Sequence, residues 1–275
     1  MSGNSARATE RRERRQRATG SERVRLERAG PIAKLTLDRP EALNAMDSDM
    51  YGEITDALRT IDEDAETRVG IVTGSGGRAF SAGADLKEMH QRASEHGRWQ
   101  PWRPRRWDLG LAVSKPLIAA IDGYAVAGGL ELALFCDIRI ATPRSQFGCP
   151  EIKWSLLHGF GALRLPRIVG LSNAMLLLLT GDFIDATEAL RIGLISRIVE
   201  PSELMTEAQS LANAIAENAS DAVQITKELA LRGLEGSLEQ YMRLYHEYAA
   251  RLEGSEEQLE RTGAFGSERG RREES

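Results

Sequence analysis

Three features of the sequence predict an α/β fold with covered sheets. Short apolar runs at Val69–Thr73, Pro116–Ile121 and Asp137–Ala141 have the length of buried strands. Stretches with helical spacing of apolar residues separate them, the alternation expected of strand–helix units. From Asn173 onward the pattern is nearly all helical, with turns at Gly181-Asp182 and Glu200-Pro201. The 275 residues suffice for one large domain, or one domain with a small appendage.

The elements follow in order. Met1 to Arg23 is rich in Arg, Ser and Glu and has no apolar stretch. Glutamates interrupt its arginines, so a disordered basic tail is expected rather than a secretory signal or a nucleic-acid arm. Val24–Glu27 and Ile32–Leu37 alternate apolar and polar residues about Gly30-Pro31, which predicts a two-strand hairpin ended by Asp38-Arg39-Pro40. After Asp47, the residues Met50, Ile54, Leu58 and Ile61 fall at helical spacing, with Asp47 or Ser48 as the N-cap. The strand Val69–Thr73 is closed by Gly74-Ser75-Gly76-Gly77, and a helical pattern resumes after Ala84-Asp85. Between His90 and Trp107 the period fails, and Trp99, Trp102 and Trp107 lie among prolines and arginines. That segment reads as an irregular insertion or a mobile helical loop. A helix opens at Gly128, between the strands Pro116–Ile121 and Asp137–Ala141. The chain thus divides into a tail at 1–23, a core at 24–200, a helical region at 201–265 and a flexible tail at 266–275.

Composition narrows the function classes. Hydrophobic residues make up 41% of the chain and charged residues 28%, ordinary for a globular enzyme. A net charge of -5 argues against a general nucleic-acid binder. Cys136 and Cys149 make no disulfide framework and lack the Cys/His spacing of a zinc site, so no metal is expected. A reducing cytoplasm is the simplest setting. The longest apolar run, Ala174–Leu179, is too short to span a bilayer.

Four stretches could carry chemistry. Gly74-Ser75-Gly76-Gly77-Arg78-Ala79 fits a dinucleotide pattern, but Phe80-Ser81-Ala82-Gly83 intervenes where the fingerprint must open a helix, so no nicotinamide or flavin is expected. In Phe80 to Met89, small residues let the backbone approach a ligand, and a helix starting near Asp85 aims free N–H groups at what precedes it. Read alone, that stretch is better explained by a plain helix cap with glycines for the turn. Asp122 to Ala133 repeats the arrangement: a strand, the Gly128-Gly129 pair, then a helix with Glu131 in its first turn. Two such turns can supply the two N–H donors of an oxyanion hole. Finally, Gln146 to Glu151 puts a carboxyl group after Pro150, followed by Leu157-His158-Gly159-Phe160-Gly161. A carboxyl near a second one and near an oxyanion hole suits general acid–base work. For Glu131 and Glu151 the plain alternatives are a surface glutamate favoured by the helix dipole and a helix-start glutamate.

Taken together, these residues resemble the enoyl-CoA hydratase/isomerase (crotonase) superfamily, from about Val24 to Phe265. The resemblance rests on Leu37-Asp38-Arg39-Pro40-Glu41-Ala42-Leu43-Asn44-Ala45-Met46, on Phe80 to Met89, on Lys115-Pro116 through Asp137, and on Phe147 to Glu151. It implies a crotonase (ClpP-like) spiral of repeated ββα units, with a C-terminal helical region that forms trimers, often paired into hexamers. It also implies coenzyme A thioester substrates, with no cofactor beyond the coenzyme A of the substrate. By resemblance the oxyanion donors are the amides of Ala84 and Gly128, and the catalytic pair of hydratases is Glu131 and Glu151. Glu41, Ala42, Leu43, Ala82, Asp85, Leu86, Lys87 and Gly159 are implied to lie along coenzyme A or the substrate.

Holding both glutamates, twenty residues apart, favours hydration of a trans-2-enoyl-CoA to a 3-hydroxyacyl-CoA. The alternatives are an enoyl-CoA isomerase, a specialised dehydratase, or a non-catalytic binding protein on the same fold. Two departures stand beside Glu151. A proline usual in the following turn is His158 here, and Lys153-Trp154 replaces small or aliphatic residues. His158 reads first as a helix cap, with tuning of Glu151 or contact with substrate as alternatives. Near the C-terminus, Glu268 stands where a basic residue often meets coenzyme A phosphate, leaving Arg269 or no residue for that contact.

Overall fold

The computed structural model describes residues 23–96, 107, 111–234 and 236–263. Strand β1 (Val24–Ala29) pairs antiparallel with β2 (Ile32–Leu37), in register from Val24 opposite Leu37 to Ala29 opposite Ile32. Helix α1 (Ser48–Glu63) starts at Asp47, whose Oδ1 accepts the Met50 N–H at 2.9 Å. Its apolar stripe Met50, Ile54, Leu58 and Ile61 is buried, as the spacing predicts.

A repeated plan then appears. Strands β3 (Val69–Gly74) and β4 (Ala79–Ser81) lead to α2 (Leu86–His96). Strands β5 (Leu117–Ile121) and β6 (Tyr124–Val126) lead to α3 (Gly128–Phe135). Strands β7 (Ile138–Ala141) and β8 (Gln146–Gly148) lead through a 3-10 turn, Pro150–Trp154, to α4 (Gly159–Val169). In each unit the first strand joins one sheet and the second joins another. The chain continues through α5 (Leu171–Thr180), β9 (Phe183–Asp185), α6 (Ala186–Arg191), β10 (Arg197–Ile198), α7 (Leu204–Ala216), α8 (Ser220–Arg232) and α9 (Leu238–Leu252). The larger sheet runs β1-β2-β3-β5-β7-β10 and the smaller β4-β6-β8-β9.

Both faces of the larger sheet are covered, which explains why its central strands read as continuous apolar runs. Leu117, Ala119 and Ile121 point into one core with α1 and α3. Ile118 and Ala120 point the other way, into a second core with Ala208 and Ala212 of α7. Helix α8 is tied to this body by Lys227, whose Nζ lies 2.7 Å from Asp137 Oδ2 and 2.8 Å from the Lys115 carbonyl.

The structure corrects the sequence reading in three places. The smaller sheet was not foreseen, because its strands are too short to show an alternating pattern. Short strands β9 and β10 interrupt the C-terminal stretch read as helical. Helix α2 runs to His96, beyond the point where its apolar period fails. Trp99, Trp102, the tails at 1–22 and 264–275, and so Glu268 and Arg269, lie outside the described residues. The glycine run after β3 turns with Gly76 and Gly77 at φ +82° and +63° and enters β4, so no helix N-terminus faces it.

Candidate active site

Two turns meet at the ends of the short strands. In the first, Met46 forms a parallel bridge with Ala84: the Met46 N–H bonds Gly83 O at 2.7 Å and the Asp85 N–H bonds Met46 O at 2.9 Å. That pattern uses the groups flanking Ala84 and leaves its own N–H pointing away from the bridge. In the second turn, Ala127 takes φ +52° and ψ -131° just before α3. A non-glycine residue there stores about 1–3 kcal/mol of strain. The helix then begins at Gly128, whose N–H has no partner within the helix.

The turns touch. Gly83 has φ +87°, and a Cβ on it would lie 2.6 Å from the Ala127 Cβ and 2.7 Å from the Gly128 nitrogen. Only glycine satisfies both the left-handed backbone and this contact. The amides of Ala84 and Gly128, which bond no other described residue, therefore belong to adjoining turns, the arrangement an oxyanion site requires.

Glu131 lies in the first turn of α3 and is 4% exposed, so the surface-glutamate alternative does not hold. Its Oε1 accepts the Gly161 N–H of α4 at 3.1 Å. Glu151 follows Pro150 in the 3-10 turn and is 9% exposed. Its Oε1 lies 2.7 Å from His158 Nδ1, while its Oε2 is buried with no hydrogen-bond partner among the described residues. A buried unpartnered carboxyl oxygen is costly unless a ligand or water completes it. Cys149 lies beside both glutamates. Burial pushes its thiol pKa up; His158 opposes this, and Glu151 and Glu131 reinforce it.

His158 departs from the cap reading. It occupies the N-cap position of α4, but its side chain makes no cap bond and turns to Glu151 instead. Burial lowers the pKa of the ring, but its interactions with Cys149 and Glu151 outweigh burial and raise it from 6.5 to about 10. The ring is thus charged at neutral pH and pairs with Glu151.

The segments named for coenzyme A meet beside the first turn. Leu43 O accepts the Ala82 N–H at 3.0 Å, which joins Glu41-Ala42-Leu43 to the stretch before Ala84. Asp85 caps α2, its Oδ1 accepting the Lys87 N–H at 3.1 Å, while its Oδ2 lies 3.2 Å from Arg39 Nη2. Leu86 and Lys87 are exposed on the first turn of α2, and Glu41 is exposed nearby. Gly159 lies apart from these, beside Glu131: a Cβ on it would be 3.6 Å from Glu131 Oε1.

Comparison with known proteins agrees with this architecture. The family model described as enoyl-CoA hydratase/isomerase matches residues 27–265. The chain belongs to this family. It is 40% identical to the short-chain-enoyl-CoA hydratase of Clostridium acetobutylicum, over 88% of this chain and 94% of that protein. It is also 40% identical to the (E)-benzylidenesuccinyl-CoA hydratase of Thauera aromatica, over 90% of this chain and 96% of that one. The crystal structure of an enoyl-CoA hydratase from Mycobacterium tuberculosis H37Rv superposes with a TM-score of 0.80 at 35% identity, covering 90% of this chain and 97% of that one. The chain has the crotonase fold of this family, with its C-terminal helices.

Two residues of this family member escaped the sequence reading. Asn44 is fully buried at φ +54°; its Nδ2 donates to Ala79 O at 2.8 Å and Ser75 O at 3.1 Å, and its Oδ1 accepts the Arg39 N–H at 2.9 Å. An Asn set between Leu43 and Ala45-Met46 was the available signal, since Asn tolerates left-handed backbone. Ala127 carries no such signal. Alanine there gives no hint of a positive φ.

Proposed function

We propose that this chain is an enoyl-CoA hydratase, a hydro-lyase that adds water reversibly to a trans-2-enoyl-CoA to give a 3-hydroxyacyl-CoA. The observation that carries this reading is that two buried glutamates from separate elements, Glu131 and Glu151, both stand beside Cys149, with Glu131 in the helix that opens at one of two adjoining turns. The named activities of its relatives, all acting on coenzyme A thioesters, support it.

The thioester oxygen lies between the Ala84 and Gly128 amides. They stabilise the enolate-like charge that develops there, each contributing about 3 kcal/mol, as oxyanion donors do elsewhere. Glu131 and Glu151 hold one water between them. The water oxygen bonds to C3, the π pair of the C2–C3 double bond moves to C2, and the proton the water releases passes through Glu151 to C2. Glu131 holds the water's other O–H, so both carboxyls end the step as they began it. Glu131 is fixed by the Gly161 amide and Glu151 by His158, so neither carboxyl need reorganise during the step. Glu41, Ala42, Leu43, Ala82, Asp85, Leu86 and Lys87 are assigned to coenzyme A, and Gly159 to the substrate beside Glu131.

The same reading takes the protein as a homotrimer or a dimer of trimers in the cytoplasm, serving fatty-acid β-oxidation. It needs no metal, bound cofactor, nucleic acid or membrane. Among the described residues, no helix is long and apolar enough to cross a membrane. The test is loss of enoyl absorbance with crotonyl-CoA and longer trans-2-enoyl-CoA substrates, with the product identified. Absence of hydration across the whole series refutes the reading.

A further inference from the structure

His158 is buried, yet its side chain makes no capping bond. Besides Cys149, the ring meets Glu151 itself and the glycine that holds Glu131. Through Nδ1 it lies 2.7 Å from Glu151 Oε1. Through its other edge it lies against Gly161, where a Cβ would come within 2.0 Å of Nε2. The Gly161 N–H in turn bonds Glu131 Oε1 at 3.1 Å. One imidazole therefore touches Glu151 itself and the glycine whose amide holds Glu131.

The unpartnered atoms point the same way. Among the described residues Glu151 Oε2 is buried without a partner, and so is His158 Nε2. With Oε1 held by the ring, Oε2 is the Glu151 oxygen left to meet a water or a substrate proton. Burying a polar ring costs free energy unless something offsets it. The bond to Glu151 is the offset that the structure provides.

We infer that His158 is a positioning residue for hydration: bonded to Glu151 Oε1 and packed on Gly161, it commits Glu151 Oε2 to the reacting water and sets the amide that holds Glu131. This rests on the hydratase reading above. His158 touches neither the water nor the thioester, so it acts on turnover through the two carboxyls and leaves coenzyme A binding alone.

Asparagine and glutamine separate this role from simple packing. An Asn amide nitrogen can occupy the place of Nδ1 and still donate to Glu151, whereas a Gln amide reaches the place of Nε2 and cannot. Steady-state kinetics on trans-2-enoyl-CoA with the full chain should show His158→Gln lowering kcat about 100-fold, the lower end of an acid–base group's contribution, with KM within about threefold of the parent. His158→Asn should recover at least about tenfold of that loss. Thermal melts of both variants identify any loss that comes from unfolding. Two outcomes overturn the inference alone: a parent chain that hydrates while His158→Gln keeps its kcat, or equal losses in both variants that follow a lowered melting temperature. A parent chain inactive on every enoyl-CoA overturns the hydratase reading first, and this inference with it.

Discussion

Glu131 and Glu151 differ in what holds them. The Gly161 amide that holds Glu131 does not titrate, whereas the ring of His158 that holds Glu151 does. Replacing either carboxyl with an amide keeps the shape and removes the proton transfer at Glu151 or the hold on the water's other O–H at Glu131. Glu131→Gln and Glu151→Gln are each expected to lower kcat about 10²- to 10⁴-fold, with little change in KM, in the enoyl-CoA absorbance assay. A pH effect on stability follows from the second holder. Folding raises the His158 pKa from 6.5 to about 10, so between those values the folded chain binds more protons than the unfolded chain. The stability it contributes is complete below 6.5 and is lost as pH rises towards 10. The titratable groups facing the ring are Cys149 and Glu151, with Glu131 beyond Gly161. Urea melts should therefore show the parent chain losing stability over this range relative to His158→Asn, which keeps the other groups and lacks the titration. The sequence placed both glutamates on their elements, one in a helix first turn and one after a proline. It could not show that they meet, because the contact passes through Gly161 and His158, and tertiary contacts leave no local pattern.

Elements carry their own limits. The hairpin, α1, β3, β5 and α3 were legible because each is long enough to show a period or is bounded by glycine, proline or a capping aspartate. The strands of the smaller sheet span three residues each, too few for alternation to register, and they are defined by neighbours distant in the chain. Those strands nevertheless aim both amide turns. Asn44 is the fastener between them and the turn that leads to Leu43, with side-chain bonds to Arg39, Ser75 and Ala79. Its left-handed backbone also disfavours alanine. Asn44→Ala leaves those backbone groups without partners and should destabilise the fold by about 3 kcal/mol in denaturant melts. Because Leu43 holds the Ala82 N–H, the variant should also raise KM for the coenzyme A thioester. An unchanged KM in a folded variant would detach Glu41-Ala42-Leu43 from substrate binding.

At the scale of the whole molecule, the C-terminal helices are unfinished business for a single chain. Helix α9 packs against α8, yet α9 buries no residue of its own. Leu238, Met242 and Tyr245 recur at helical spacing on one face, and Leu238 is 80% exposed. A second apolar stretch lies on α5, where Leu171, Met175, Leu176 and Leu179 are exposed. Scattered exposed leucines need no account, but an amphipathic stripe that no described residue covers does, and the proposed association of copies would supply that cover. The reading of the chain as a homotrimer or a dimer of trimers then makes a physical forecast. Sedimentation velocity should give three or six times the mass of one chain. The double substitution Leu238→Glu and Met242→Glu places charges on the stripe, which cannot be buried unpaired, and should shift the species towards monomer while leaving the two cores intact. A parent chain that sediments as a monomer at micromolar concentration refutes the assembly. The apolar face of α9 would then have to be covered from within the chain, by a repositioning of α9 that one melt with and without the two substitutions would reveal.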